Sequence, residues 1–205
     1  MALGARNRSG HLARQYWMAA VLICSASGAM AHPGGNLNGF AAGILHPITG
    51  LDHIIAMVAV GLWGGIMGGR ALWVLPITFP LIMAFGGVLG VLGVPMPGTE
   101  VGIALSGIVL GLMILFSVQA PLWLATVMVG IFAIFHGYAH GAELPQSADP
   151  AVFAAGFVIS TGFLHLLGIG IGLAVRWPWG KIAVRLVGLV ISALGFGFLT
   201  GAIVA

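Results

Sequence analysis

Charge is what this chain most lacks: Asp, Glu, Lys and Arg together make up 5% of its 205 residues. A soluble domain needs a charged surface, so a water-exposed globular fold is excluded. Carboxylates number only four. Cysteine is limited to Cys24, and that residue falls in a segment expected to be removed, which excludes a disulfide or a thiolate metal site from the product. The net charge of +3 comes without a basic stripe that could track a phosphate backbone, so nucleic acid is not an expected partner. Nor does the sequence contain G-x-x-x-x-G-K-[ST]; the chain cannot drive a process by ATP itself.

Apolar residues are abundant instead, at 60%, with 34 glycines. Helices in lipid use small residues to approach one another closely, and the composition therefore describes an all-α polytopic membrane protein. Residues 1–31 read as a cleaved secretory signal peptide. Arg6, Arg8 and Arg14 form a basic start, Tyr16 to Cys24 an apolar core, and Ala29-Met30-Ala31 a small-residue cleavage site. The mature chain would begin at His32. An uncleaved signal anchor is the alternative, and it too places His32 outside.

Residues 32–205 read as a single six-helix transmembrane domain with spans at about 39–67, 71–92, 100–117, 122–141, 151–175 and 181–204. Turn signals separate them: Gly68-Gly69-Arg70, Pro95-Met96-Pro97-Gly98, Gln119-Ala120-Pro121, the polar Glu143 to Pro150 loop, and Arg176 to Lys181. Six crossings from an outer start put Arg70, Arg176, Lys181 and Arg185 on the cytoplasmic side and Glu100, Glu143 and Asp149 outside, as the positive-inside rule requires. Both termini of the mature chain would then be outside a bacterial cytoplasmic membrane. Tryptophans 63, 73, 123, 177 and 179 fall near the cytoplasmic boundary and are expected to form an interfacial belt. The four-residue echo between Gly43-Ile44-Leu45-His46 and Gly162-Phe163-Leu164-His165 is too short to argue a duplication.

Two stretches place titratable groups at membrane depth, where they persist only with a partner, a cavity or a ligand. The first is Leu45 to Met57. On a continuous helix His46 and His53 lie about 20° short of two full turns apart and share a stripe, with Asp52 beside it. The second is Phe135 to Glu143, in which His136, His140 and Glu143 share a face if the helix continues past Gly141. Histidines at i, i+4 give a metal two imidazoles from one rigid element. At about 1.5 Å of rise per residue, His46 comes level with His136, and His53 with His165, with His140, Glu143 and His32 at the outer mouth. Such tiers describe a route for a cation. Imidazole with one or two carboxylates suits Ni(II) or Co(II) and admits Zn(II), whereas calcium and magnesium sites use oxygens alone.

Each residue also has a structural reading. Thr49 and Asp52 have capping-box spacing around a helix restarting after Pro47. His46 and His53 could hydrogen-bond a neighbouring helix, His165 is a lone histidine in a Leu/Gly-rich span, and His140 with Glu143 could be a solvated helix end. His32 could be only the residue after a cleavage site, and methionines 57, 67, 83, 113 and 128 fit as core filler. Three other functions stay open: an intramembrane zinc hydrolase with Asp52 or Glu143 activating water, a haem-binding electron carrier, and a metal-binding assembly factor that does not transport.

The H-x-x-x-x-x-D-H of His46 to His53, the F-H-G-x-A-H-G-x-E of Phe135 to Glu143 and the A-H-P after the signal resemble the HupE/UreJ family of hydrogenase and urease accessory membrane proteins. The similarity extends over the whole mature chain, including the segments around Trp63 and Trp73. It implies a nickel permease linked to the maturation of a nickel enzyme, not itself an enzyme and without an organic cofactor, in which His46, Asp52, His53, His136, His140 and Glu143 are functional. The first motif is also similar to the shorter H-x-x-x-x-D-H of nickel/cobalt transporters, but the spacing differs by one residue and the geometry does not carry over. On this reading His32 and His165 are additional candidate ligands, and the oligomeric state is left open.

Overall fold

The computed structural model describes residues 35–144 and 149–203. The expected signal peptide and His32 lie outside the described residues. Regular structure among the described residues is helical throughout: α1 Gly35–Thr49, α2 Leu51–Met67, α3 Ala71–Val91, α4 Thr99–Leu115, α5 Leu122–Ala142, α6 Pro150–Gly172, a 3-10 turn Leu173–Arg176, and α7 Pro178–Leu199. Of these, α3, α5, α6 with its 3-10 extension, and α7 are each long and apolar enough to cross a membrane. The α1–α2 pair meets the same test only as a unit, bent by 80° at its break, and α4 is a shorter apolar helix.

The span expected over 39–67 is therefore broken, in keeping with a helix restarting after Pro47, and the levels counted on a continuous helix do not hold. Pro47 stays inside α1, and the helix stops two residues later, where Gly50 adopts extended backbone (φ −90°, ψ 117°). Proline removes one helical donor, and glycine then leaves the helix without side-chain hindrance. The capping box is not made either. Thr49 Oγ1 turns back to donate to the His46 carbonyl at 3.0 Å, and Gly50 caps α2 with no side-chain bond.

Other boundaries move by physical cause. Helix α7 begins at Pro178 instead of 181, because proline suits the first helical position. It ends at Leu199, where Gly201 takes a positive φ of 70° and Ile203 N–H donates back to the Gly197 carbonyl at 3.2 Å. Helix α5 runs through Gly141 to Ala142, so His136, His140 and Glu143 do share a face.

Packing joins elements that are not consecutive in the chain: α3 lies along α5, α4 along α7, and α6 along both α2 and α1. Helix α2 is the hub, touching α3, α4, α6 and α7 as well, and it is buried on nearly every side from Asp52 to Ile66. Lipid tails are as apolar as leucine, so such helices are held by close van der Waals approach more than by any hydrophobic drive. At Gly61 a Cβ would run into the His165 carbonyl of α6, and at Gly137 into the Met83 carbonyl of α3. Residues facing outward are large and apolar, among them Leu81 and Phe85 on α3, Phe163 on α6 and Ile182 on α7, which is the reverse of a soluble bundle and fits a lipid surround.

The tryptophan belt needs one correction. Trp73, Trp123, Trp177 and Trp179 are exposed, but Trp63 is completely buried, its indole N–H donating to the Val118 carbonyl at 3.0 Å. Trp63 is a core residue that ties α2 to the segment following α4.

Candidate metal centre

The site lies at the end of the bundle where α2 begins and α5 ends. Ala125, Val129 and Ala133 form the buried stripe of α5, and His136 and His140 continue the buried face of the helix toward Glu143. The face changes from apolar to imidazole without changing direction. Each histidine of the pair is followed by a glycine, Gly137 and Gly141, which abut Met83 and Gly87 of α3. The H-G-x-x-H-G pattern thus has two duties a third of a turn apart: glycines clamp α5 to α3 while the histidines face the hub.

On α2, Asp52 and His53 are both buried, with His53 Nδ1 2.7 Å from Asp52 Oδ1. A carboxylate can only accept, so Nδ1 carries the proton and Nε2 presents a lone pair. Gly50 makes room for this pair, since a Cβ there would stand 2.9 Å from both Asp52 Oδ1 and His53 Nδ1. Helix α4 fixes the next ring. Ser106 Oγ lies 2.6 Å from the Ile103 carbonyl and 2.9 Å from His136 Nε2. The hydroxyl has one proton and the carbonyl can only accept, so Ser106 donates to Ile103 and receives the His136 Nε2 proton. His136 Nδ1 is left with a lone pair.

Around the break, His46 Nε2 sits 2.9 Å from His140 Nδ1 and 3.8 Å from Glu143 Oε2. Ring centroids are 4.3 Å apart for His53 and His140, 5.1 Å for His53 and His136, and 6.5 Å for His46 and His53. Three nitrogens in this group are buried and without a partner: His53 Nε2, His136 Nδ1 and His140 Nε2. Phe153 and Phe157 of α6 wall the cluster, the latter 4.4 Å from the His140 ring. Among the described residues no three His, Cys, Asp or Glu side chains converge on one metal-sized point; the rings are gathered in successive layers.

The expected levels therefore shift by one step. His46 pairs with His140, not His136, and His53 meets His136 and His140, not His165. The 80° bend is the reason, because α1 does not descend along the axis of α2 and a residue count across the break no longer measures depth. His165 stands apart on α6, fully buried, its ring 5.6 Å from that of Phe79. Phe79 is in turn 5.7 Å from His136.

Two residues escaped the sequence reading. Ser106 had no signal beyond being a lone hydroxyl in an apolar helix. Glu100 could have been found as one of four carboxylates in the chain. Together with Asp52 it lines a half-open pocket of about 240 Å³, with Phe198, Gly201 and Ile203 on its other side. Glu143, just beyond α5, has a side chain 61% exposed, and the partial desolvation of its carboxyl raises it above its ordinary value.

A family model described as HupE / UreJ protein matches residues 19–198. Protein HupE of Rhizobium leguminosarum bv. viciae is 43% identical over 173 residues, covering 84% of this chain and 91% of that protein. The tetracenomycin C resistance and export protein of Streptomyces glaucescens is 30% identical over 167 residues, 76% of this chain but 29% of its own length. No solved structure matches the chain.

Proposed function

The chain belongs to the HupE/UreJ family, a family of hydrogenase and urease accessory membrane proteins, and on that premise we propose that it is a secondary permease for a divalent transition metal. Nickel is the substrate the donor set favours, with cobalt and zinc as competitors. The observation that carries this reading is the trio of buried, unpartnered imidazole nitrogens on His53, His136 and His140. A buried polar atom without a partner costs about 1–3 kcal/mol, and three beside one another are best explained by a ligand that visits them.

In this mechanism Glu143, His140 and His46 receive the ion, joined by His32 when the signal is cleaved. The ion then passes to His53 and His136. Asp52 and Ser106 act on it indirectly, by holding the proton of each ring on the nitrogen that faces away. Neutral imidazole is the form that ligates, so uptake falls as protons take the lone pairs. The α1–α2 pair and the short α4 each count as one crossing, giving six crossings of a bacterial cytoplasmic membrane with both mature termini outside. A discontinuous helix at the site is a recurring feature of transporters, because its freed backbone groups can line the path. The metal delivered inside would supply maturation of a nickel enzyme.

The test is radioactive nickel uptake into proteoliposomes, with cobalt and zinc as competitors, for the wild type and His46→Ala. Wild-type uptake suppressed by cobalt, and loss of most of it in the variant, is expected. A wild type that binds nickel yet moves none would overturn transport and leave the assembly-factor reading.

A further inference from the structure

Below the imidazole cluster the bundle interior is apolar, with Val60, Leu62, Trp63 and Leu75 fully buried. Three polar side chains of α6 interrupt it, Ser160, Thr161 and His165, and the last two share a face. His165 is 2% exposed and Thr161 is 0% exposed, and neither His165 Nε2 nor Thr161 Oγ1 has a hydrogen-bond partner. They are four residues apart on α6 and so occupy one face. Several other hydroxyls on or just after helices do return to the preceding turn: Thr126 donates to the Leu122 carbonyl at 2.8 Å, Ser106 to Ile103 and Thr200 to Phe196 at 3.1 Å, whereas Ser160, beside Thr161, is likewise buried and without a partner. The return bond to the preceding turn was available to Thr161 and is not made.

The Phe79 ring neighbours both sets, 5.7 Å from the His136 ring and 5.6 Å from the His165 ring. Phe79 is fully buried. We propose that His165 and Thr161 form a second, inner station for the divalent cation, reached past Phe79 from the His53–His136 layer. This rests on the permease reading and extends it inward. One imidazole and one hydroxyl are a sparse donor set, which a partly hydrated Ni(II) or Co(II) would occupy weakly. Weakness suits the position, since a cation must leave the last site before release as readily as it entered.

A purely structural histidine predicts the opposite behaviour of one substitution. Replacing an unpartnered buried imidazole by leucine removes an unsatisfied group and fills the volume, which is neutral or stabilising. For His165→Leu we expect a Tm equal to or above the wild type, nickel uptake reduced at least tenfold, and one weak Ni(II) site lost in equilibrium dialysis of the purified protein. The tighter site of the cluster stays. Thr161→Val, nearly isosteric, should lower uptake less and shift only the weak site. Should His165→Leu transport nickel at the wild-type rate, or keep every Ni(II) site, the inner station is refuted while the permease reading stands. A wild type that moves no nickel would remove both. If His165→Leu fails to fold, His165→Gln with an unchanged Tm takes its place, and the same two readouts decide.

Discussion

Helix α2 carries two regions with opposite logic. Its first turn holds Asp52 and His53, buried yet polar, with His53 meeting the imidazoles of α5. Its last two turns or so, from Ala59 to Ile66, are packed tight by Trp63, Leu62 and the glycine contact at Gly61. The second region is built from contacts that are individually small and collectively large. The first is held by orientation, with unused valences left pointing inward. The two ends of one helix therefore divide stability from binding, and substitutions should separate the two.

The largest effects come from taking one residue from each end. His53→Asn keeps a donor for Asp52 but deletes the nitrogen that faces the cluster. Uptake should fall roughly 100-fold or more, since losing even an outer partner of a metal ligand costs about 10–100-fold, while the Tm changes little. His53→Ala should do worse on both counts, because it leaves a buried carboxylate alone. Trp63→Ala should do the reverse of His53→Asn: about 3–5 kcal/mol of stability lost to the cavity and the missing indole bond, with nickel affinity kept in the fraction that stays folded. Nickel uptake and thermal unfolding measured on the same preparations check the pair. Equal losses of stability in both variants would erase the division.

Asp52→Asn sharpens the comparison within the polar end. An amide oxygen still accepts the His53 Nδ1 proton, but the charge that strengthens the ring as a ligand is gone. Nickel affinity should drop roughly 10–100-fold by calorimetry, with no loss of stability, since a buried charge has been removed. A smaller effect is expected at the break itself. Gly50 has a negative φ of −90°, so Gly50→Ala strains no backbone, yet its methyl meets the Asp52–His53 pair. The pair must shift by a few tenths of an ångström, and uptake should fall roughly tenfold with the fold intact. Wild-type uptake in this variant would mean the pair's position is immaterial.

Residue type, not residue count, carried the sequence reading furthest. Apolar runs between glycine and proline breaks located most helices within a few residues, because a bilayer imposes both length and composition. Periodicity along α5 placed His136, His140 and Glu143 on one face for the same reason: one rigid helix joins them. Levels across helices were not legible. They required α1 to continue into α2, and a single extended residue at Gly50 broke that assumption. Trp63 was misplaced because proximity to a loop in sequence says nothing of the direction a side chain takes once α2 becomes the hub. Ser106 was invisible, and the placement of Glu100 beside Asp52 was not legible, for a different reason. Their roles exist only through α4 meeting α5 and α2, and no local pattern encodes a meeting of distant helices.

Glu143 gives the smallest effect and the clearest sign. Its carboxyl is raised by burial, with Glu100 and Asp52 adding repulsion against the opposing pull of His53. A raised carboxyl gains its proton at a higher pH than a free glutamate, so on acidification its charge is lost earlier. Above its titration range the carboxylate attracts the incoming cation; below it the side chain is neutral and equivalent to glutamine. At neutral pH and subsaturating nickel, Glu143→Gln should therefore take up metal a few-fold more slowly than the wild type, an electrostatic effect that added salt weakens. On acidification both proteins slow as the histidines protonate, and the ratio between them should approach one. A ratio that stayed constant from neutral to acid pH would show that Glu143 acts through its shape or its contact with His46, and the capture step would then belong to the imidazoles alone.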